Sequence, residues 1–108
     1  MRILVVCDQG NNRSVTIAHH LKYWGHDVLT AGTETNSTRT LDELSEWADR
    51  IIYTEARQAS RLRTPAVGNK LQLWDVGPDR YPRPFNRDLL GKVRFLLKQH
   101  KEEYEPSR

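Results

Sequence analysis

The chain has 108 residues, 37% of them hydrophobic and 29% charged, a length that suits one domain (residues 1–108) around one core and a patterning that excludes a disordered chain. A single Cys excludes an internal disulfide framework, and no apolar run reaches the length of a membrane span, so a cytoplasmic setting without a membrane partner is expected. The net charge of +3 is uneven: residues 1–54 hold five Lys/Arg against seven Asp/Glu, and residues 55–108 twelve against seven. A basic half of this kind can be a solvated face or can draw in an anionic substrate; nucleic acid is the lesser expectation.

Ile3 to Val6 is a short apolar run rich in β-branched residues, which predicts a strand buried on both faces. A polar loop follows, and then Val15, Ile17, Ala18, Leu21 and Trp24 recur at helical spacing, with Gly25 as the stop. Asp27 to Ala31 predicts a second strand ended by Gly32. Thr40-Leu41-Asp42-Glu43 has the form of a capping box and predicts the start of a second helix striped by Leu41, Leu44, Trp47 and Ala48. Arg50 to Thr54 predicts a third strand, Glu55 to Leu62 a short helix stopped before Pro65, and Leu71 to Trp74 a fourth strand. After a proline-bearing loop, Asn86 is the expected N-cap of a last helix carrying Leu89, Leu90, Val93, Leu96 and Leu97; the charged tail from Lys101 is expected to fray. The alternation gives an α/β fold: one three-layer domain, a parallel four-stranded sheet with helices on both faces. Ligands in such folds sit at the carboxyl ends of the strands, which singles out the loops Cys7–Ser14 and Asp75–Phe85.

The first loop reads Cys7-Asp8-Gln9-Gly10-Asn11-Asn12-Arg13-Ser14. Between a buried strand and a helix start, its amides can converge on one point, and the helix dipole adds partial positive charge there. A phosphate dianion fits such a nest. Gly10 can supply a left-handed turn, and Arg13 offers a planar fork for two phosphate oxygens. The same field would act on Cys7: a free thiol with a pKa of roughly 8.5 is only about 3% thiolate at neutral pH, and an electropositive helix start can bring it to roughly 3.5–7.5. Residues 8 to 14 are therefore the candidate phosphate-binding loop and Cys7 the candidate nucleophile.

The spacing Cys, five residues, Arg, Ser after the first strand resembles the loop of the low-molecular-weight protein tyrosine phosphatase superfamily. Trp47-Ala48-Asp49-Arg50-Ile51-Ile52-Tyr53 resembles that superfamily's segment leading into the third strand, and Pro78-Asp79-Arg80-Tyr81 its acid-bearing segment. The resemblance implies the strand order 2-1-3-4, hydrolysis of a phosphate ester (protein phosphotyrosine first) through a phosphocysteine, and no metal or cofactor. The expected partner is a phosphorylated protein or a small phosphate ester. Asn12-Arg13-Ser14 also resembles the branch that acts on phosphoserine in the RNA polymerase II tail. Asp8 stands where the superfamily usually has an apolar residue, and its carboxylate is expected to point away from the pocket.

Departure of the leaving oxygen requires a proton. Asp79 has the setting of the superfamily's acid, while Asp75, at the end of the fourth strand, is the alternative; a wall from Tyr81 or Trp74 would help keep either protonated. His19 and His20 read as plain helix residues, and His26 and His100 as surface positions. The lone Cys disfavours a redox relay of the arsenate reductase kind, and Arg13 disfavours a phosphotransfer subunit of a sugar-uptake system. The remaining rival is a weakly active or inactive module that binds phospho-ligands or nucleic acid.

Overall fold

The computed structural model describes residues 1–62 and 68–106. Its central element is β1 (Arg2–Cys7), in which Ile3, Leu4, Val5 and Val6 are fully buried. β1 pairs in parallel with β2 (Asp27–Gly32) on one side and β3 (Arg50–Tyr53) on the other, and β4 (Leu71–Leu73) adds to β3, giving the order β2-β1-β3-β4. Successive side chains of a strand point to opposite faces. Ile3 and Val5 accordingly pack with Ile17 and Leu21 of α1 (Arg13–Tyr23), with Leu89, Val93 and Leu97 of α3 (Arg87–Gln99), and with Tyr104 of α4 (Lys101–Tyr104). Leu4 and Val6 face the other layer, with Leu41, Leu44 and Trp47 of α2 (Thr38–Trp47) and with Leu62, which follows a short 3-10 helix (Ala56–Arg61). No helix among the described residues is long and apolar enough to cross a membrane.

Three local expectations are corrected. α2 begins at Thr38, capped by Ser37 rather than Thr40: the Ser37 backbone is extended and its Oγ accepts the Thr40 N–H at 3.1 Å. Glu43, the supposed partner in a capping box, instead pairs with Arg39 one turn back at 3.2 Å. The 3-10 helix carries the reciprocal cap, between Glu55 and Gln58; Pro65 lies outside the described residues.

The tail does not fray through residue 104. Tyr104 is 1% exposed, its hydroxyl donates to Gln72 at 2.7 Å, and its carbonyl lies 2.6 Å from His26 Nε2. His100 stacks on Trp74, with ring centroids 5.0 Å apart and planes 14° from parallel. His26 and His100 are thus half-buried packing residues, not surface ones. One aromatic inserted into the core outweighs the polarity of the residues around it, since burying such a side chain is worth about 1.5–3 kcal/mol.

Candidate active site

β1 ends at Cys7 and α1 starts at Arg13, so the connecting loop must curl tightly. The curl closes on the sulfur: Cys7 Sγ accepts the Gly10 N–H at 3.2 Å and lies 3.1 Å from Ser14 Oγ, whose hydroxyl can donate to a thiolate. Gly10 has φ +73°, and a Cβ there would lie 2.8 Å from the Ala31 carbonyl carbon and 2.9 Å from the Gly32 nitrogen. It is needed for both conformation and closeness.

Gly32, at the end of β2, is needed for closeness alone: a Cβ would stand 2.6 Å from the Gln9 carbonyl carbon and 2.8 Å from the Asp8 oxygen. The turn after it binds the loop from behind. The Thr33 N–H donates to the Cys7 carbonyl at 2.9 Å, the Glu34 N–H to that of Asp8 at 2.8 Å, and the Thr35 hydroxyl to that of Gln9 at 3.3 Å. Sequence reasoning used Gly32 only as a strand stop.

Arg13 is fully buried. Its Nη1 donates to Glu55 Oε1 and, at 2.8 Å, to the Gly77 carbonyl. Its Nε and Nη2, the other edge of the guanidinium fork, have no hydrogen-bond partner among the described residues. The group nearest in charge is Asp8 Oδ2, 3.4 Å from Nη2. Leaving a buried donor unpaired costs about 1–3 kcal/mol, and more for a charged group; two oxygens of one tetrahedral anion would satisfy this edge together.

Asp8 does not swing clear of the loop. Its carboxylate accepts from Gln58 Nε2 at 3.0 Å and from Arg57 Nη2, and it shares the neighbourhood of Arg13. Burial pushes the Asp8 carboxyl up, but the Gln58 and Arg57 hydrogen bonds and the charges of Arg13 and Arg57 outweigh it and hold the group below the ordinary carboxylate range. Arg57 also reaches Glu55 at 3.1 Å and Glu34 at 3.6 Å. Gln58, 1% exposed, ties Asp8 to the end of β3 by accepting the Thr54 N–H at 2.8 Å. Glu55, Arg57 and Gln58 were not among the candidate residues. Their signal was positional: they follow the third strand, at the same edge of the sheet as Cys7.

The second loop is fastened to the first. Asn12 does not cap α1; its side-chain amide donates to the Tyr81 carbonyl at 3.1 Å. The Phe85 N–H donates to Thr16 Oγ1 at 3.0 Å, and the Gly77 carbonyl takes Arg13. Asp75 serves this fastening, because its Oδ1 accepts the Gly77 N–H at 2.9 Å and shapes the turn. Asp79 is exposed, at the apex of a turn closed by the Arg80 N–H on the Pro78 carbonyl at 2.8 Å. It has no side-chain hydrogen bond or ion pair among the described residues, and Asn11 on the first loop is exposed likewise. Trp74 cannot wall in an acid, because it is fully buried in the core with its indole N–H on Gln72. Tyr81 is half-buried, its hydroxyl donating to the Val76 carbonyl at 2.5 Å. Cys7 and Arg13 are both closed to solvent, and the second loop is joined to the first there by separate hydrogen bonds.

A four-stranded parallel sheet in the order 2-1-3-4, with a Cys-x5-Arg-Ser loop leaving its central strand, is the fold of the low-molecular-weight protein tyrosine phosphatases. Solved structures of that kind superpose on most of the chain. Wzb of Vibrio vulnificus, in complex with benzylphosphonate, matches with a TM-score of 0.70 at 18% identity, over 94% of each chain. The YwlE arginine phosphatase from Geobacillus stearothermophilus matches with a TM-score of 0.63 at 16% identity, over 98% of this chain and 99% of that one. A Cys-to-Ser variant of YwlE with a phosphorylated active-site serine gives 0.65 at 18% identity, over 95% and 97%. No family profile matches the sequence, and neither does any curated protein.

Proposed function

We propose that this chain is a cysteine-dependent phosphatase that hydrolyses phosphate monoesters, with protein phosphotyrosine as its substrate. The observation that carries this reading is the Nε/Nη2 edge of Arg13, which has no hydrogen bond among the described residues and is buried in the loop whose amide and hydroxyl converge on Cys7 Sγ. In the first step the Cys7 thiolate attacks phosphorus, the bond to the leaving oxygen breaks, and Asp79 gives that oxygen a proton. In the second, water attacks the phosphocysteine, Asp79 takes the proton, and phosphate leaves with the thiolate restored. Arg13 and the loop amides hold the equatorial oxygens in both steps. Asp75 acts on the shape of the loop, since its carboxylate is engaged with the Gly77 N–H.

Hydrolysis of p-nitrophenyl phosphate tests this. Cys7→Ser should abolish turnover while vanadate or phosphate binding persists, and Arg13→Lys, which loses the fork, should lower kcat/KM by about a hundredfold or more. A wild-type protein without turnover between about pH 5 and 8 would sink the proposal, because a thiolate nucleophile and a carboxyl acid operate in that window. The second reading, a phospho-ligand binding module, is favoured by one observation. Asp8 and Glu55 both sit against Arg13 and offset its charge, which weakens the pull on a dianion. Equal phosphate affinity in wild type and Cys7→Ser, with no turnover in either, is its signature.

A further inference from the structure

Beside Asp79 the surface is hollowed into an open groove of about 690 Å3. Arg80, Arg87 and Lys92 line it, with Asp88 as its one acid. Its aromatic wall, Tyr81, is fixed by the hydrogen bond to Val76, and Lys92 Nζ donates to the Tyr81 hydroxyl at 2.9 Å. Pro78 and Pro82 restrict the backbone on that side. None of the three cations forms an ion pair among the described residues, whereas Arg13, Arg39, Arg50 and Arg57 all do. The groove adjoins the candidate site directly: Asp79 falls between Pro78 and Arg80, and the Tyr81 carbonyl holds Asn12 of the phosphate loop.

We propose that this groove docks the acidic stretch of polypeptide that flanks the phosphorylated residue of a protein substrate. The proposal rests on the phosphatase reading, and it assigns Arg80 and Arg87 as specificity residues outside the chemistry. Carboxylates laid along the groove would pair with cations that have no carboxylate partner among the described residues. A nucleic acid is disfavoured by the same geometry. Single strands are held by stacking bases on open aromatic faces, and the one ring here carries Lys92 over it at 5.4 Å.

The test uses two phosphotyrosine peptides that differ only in having Glu/Asp or Gln/Asn flanks, with p-nitrophenyl phosphate as the flank-free substrate. The acidic peptide should show about a tenfold higher kcat/KM, expressed in KM, because two or three rim pairs add to that factor. The double variant Arg80→Gln/Arg87→Gln should lose most of that preference with p-nitrophenyl phosphate turnover unchanged, and added salt should erode it in wild type. Equal turnover of the two peptides by wild type overturns the proposal and leaves the phosphatase reading intact. So does a single-stranded oligonucleotide that binds Cys7→Ser more tightly than the acidic peptide does and is released by the double variant. If p-nitrophenyl phosphate is not hydrolysed at all, the phosphatase reading is what fails. The groove is then judged by anisotropy of a fluorescent acidic peptide: binding that the double variant weakens supports it, and no binding overturns it.

Discussion

At the scale of single residues, the site is a set of competing demands on a few polar atoms. Arg13 is held at one end by Glu55 and Gly77, while its Nε/Nη2 edge faces Asp8 with no hydrogen bond among the described residues, so its orientation is fixed before any ligand arrives. Such preorganisation matters because a donor already aimed at the developing charge need not reorient during reaction. The two acids of the second loop divide along the same line. Asp75 is spent on a backbone N–H, and Asp79 has no such partner among the described residues. Asp79→Asn should therefore cost about a hundredfold or more in kcat for an alkyl phosphate, whose leaving group needs the proton, and much less for p-nitrophenyl phosphate. Asp75→Asn should lower both activities alike and by less, since an amide oxygen can still accept from Gly77. Turnover of the two substrates by both variants decides the matter: a leaving-group-dependent loss in Asp75→Asn alone would reverse the roles.

At the scale of elements, the strands and the nucleophile loop were legible because their signals are local. Ile3–Val6 reads as a buried strand from its own composition, and Cys7, Arg13 and Ser14 lie within one turn of chain. What could not be read depends on residues brought together from afar. Gln58 meets Asp8 across fifty positions, and Gly32 is required by a loop that precedes it by more than twenty. The start of α2 was misplaced because Ser37-x-x-Thr40 caps without the glutamate that makes a box conspicuous. The tail was misread because its charged residues mask a single anchoring ring. That ring gives the element-scale prediction. Tyr104→Phe should cost about 1 kcal/mol through the hydroxyl on Gln72, and Tyr104→Ala about 3–5 kcal/mol through the cavity left against Trp74 and His26. Urea unfolding of both variants measures this, and a neutral Tyr104→Ala would mean that α4 is not docked in solution.

At the scale of the whole molecule, the carboxyls of Asp8 and Glu103, together with the exposed Asp49 held down by the Arg2 N–H, link stability to pH. Burial raises the Glu103 carboxyl, but the hydrogen bonds of Arg50 and Gln72 outweigh it, so Glu103, like Asp8, is held below the ordinary carboxylate range. A carboxyl lowered in the folded state stabilises the fold above its unfolded pKa, roughly 4, and loses that contribution as pH falls through its folded value. Melting temperature should hold steady down to about pH 5 and drop below about pH 4, with a shallower drop in the double variant Asp8→Asn/Glu103→Gln, measured by circular dichroism. The placement of Cys7 has a further outcome. It terminates the most deeply buried strand, with β2 and β3 on its flanks and the 32–36 turn bonded behind it. Segments with this much protection exchange their amide hydrogens only when the entire fold opens, unlike the frayed loops on which many sites are carried. The amides of Val5 and Val6 should be among the slowest to exchange, and loss of the proposed phosphatase activity in urea should coincide with the change in tryptophan fluorescence rather than precede it. The proposed nucleophile would then report on the cooperativity of the whole chain: as long as the proposed turnover survives, the protein is still folded.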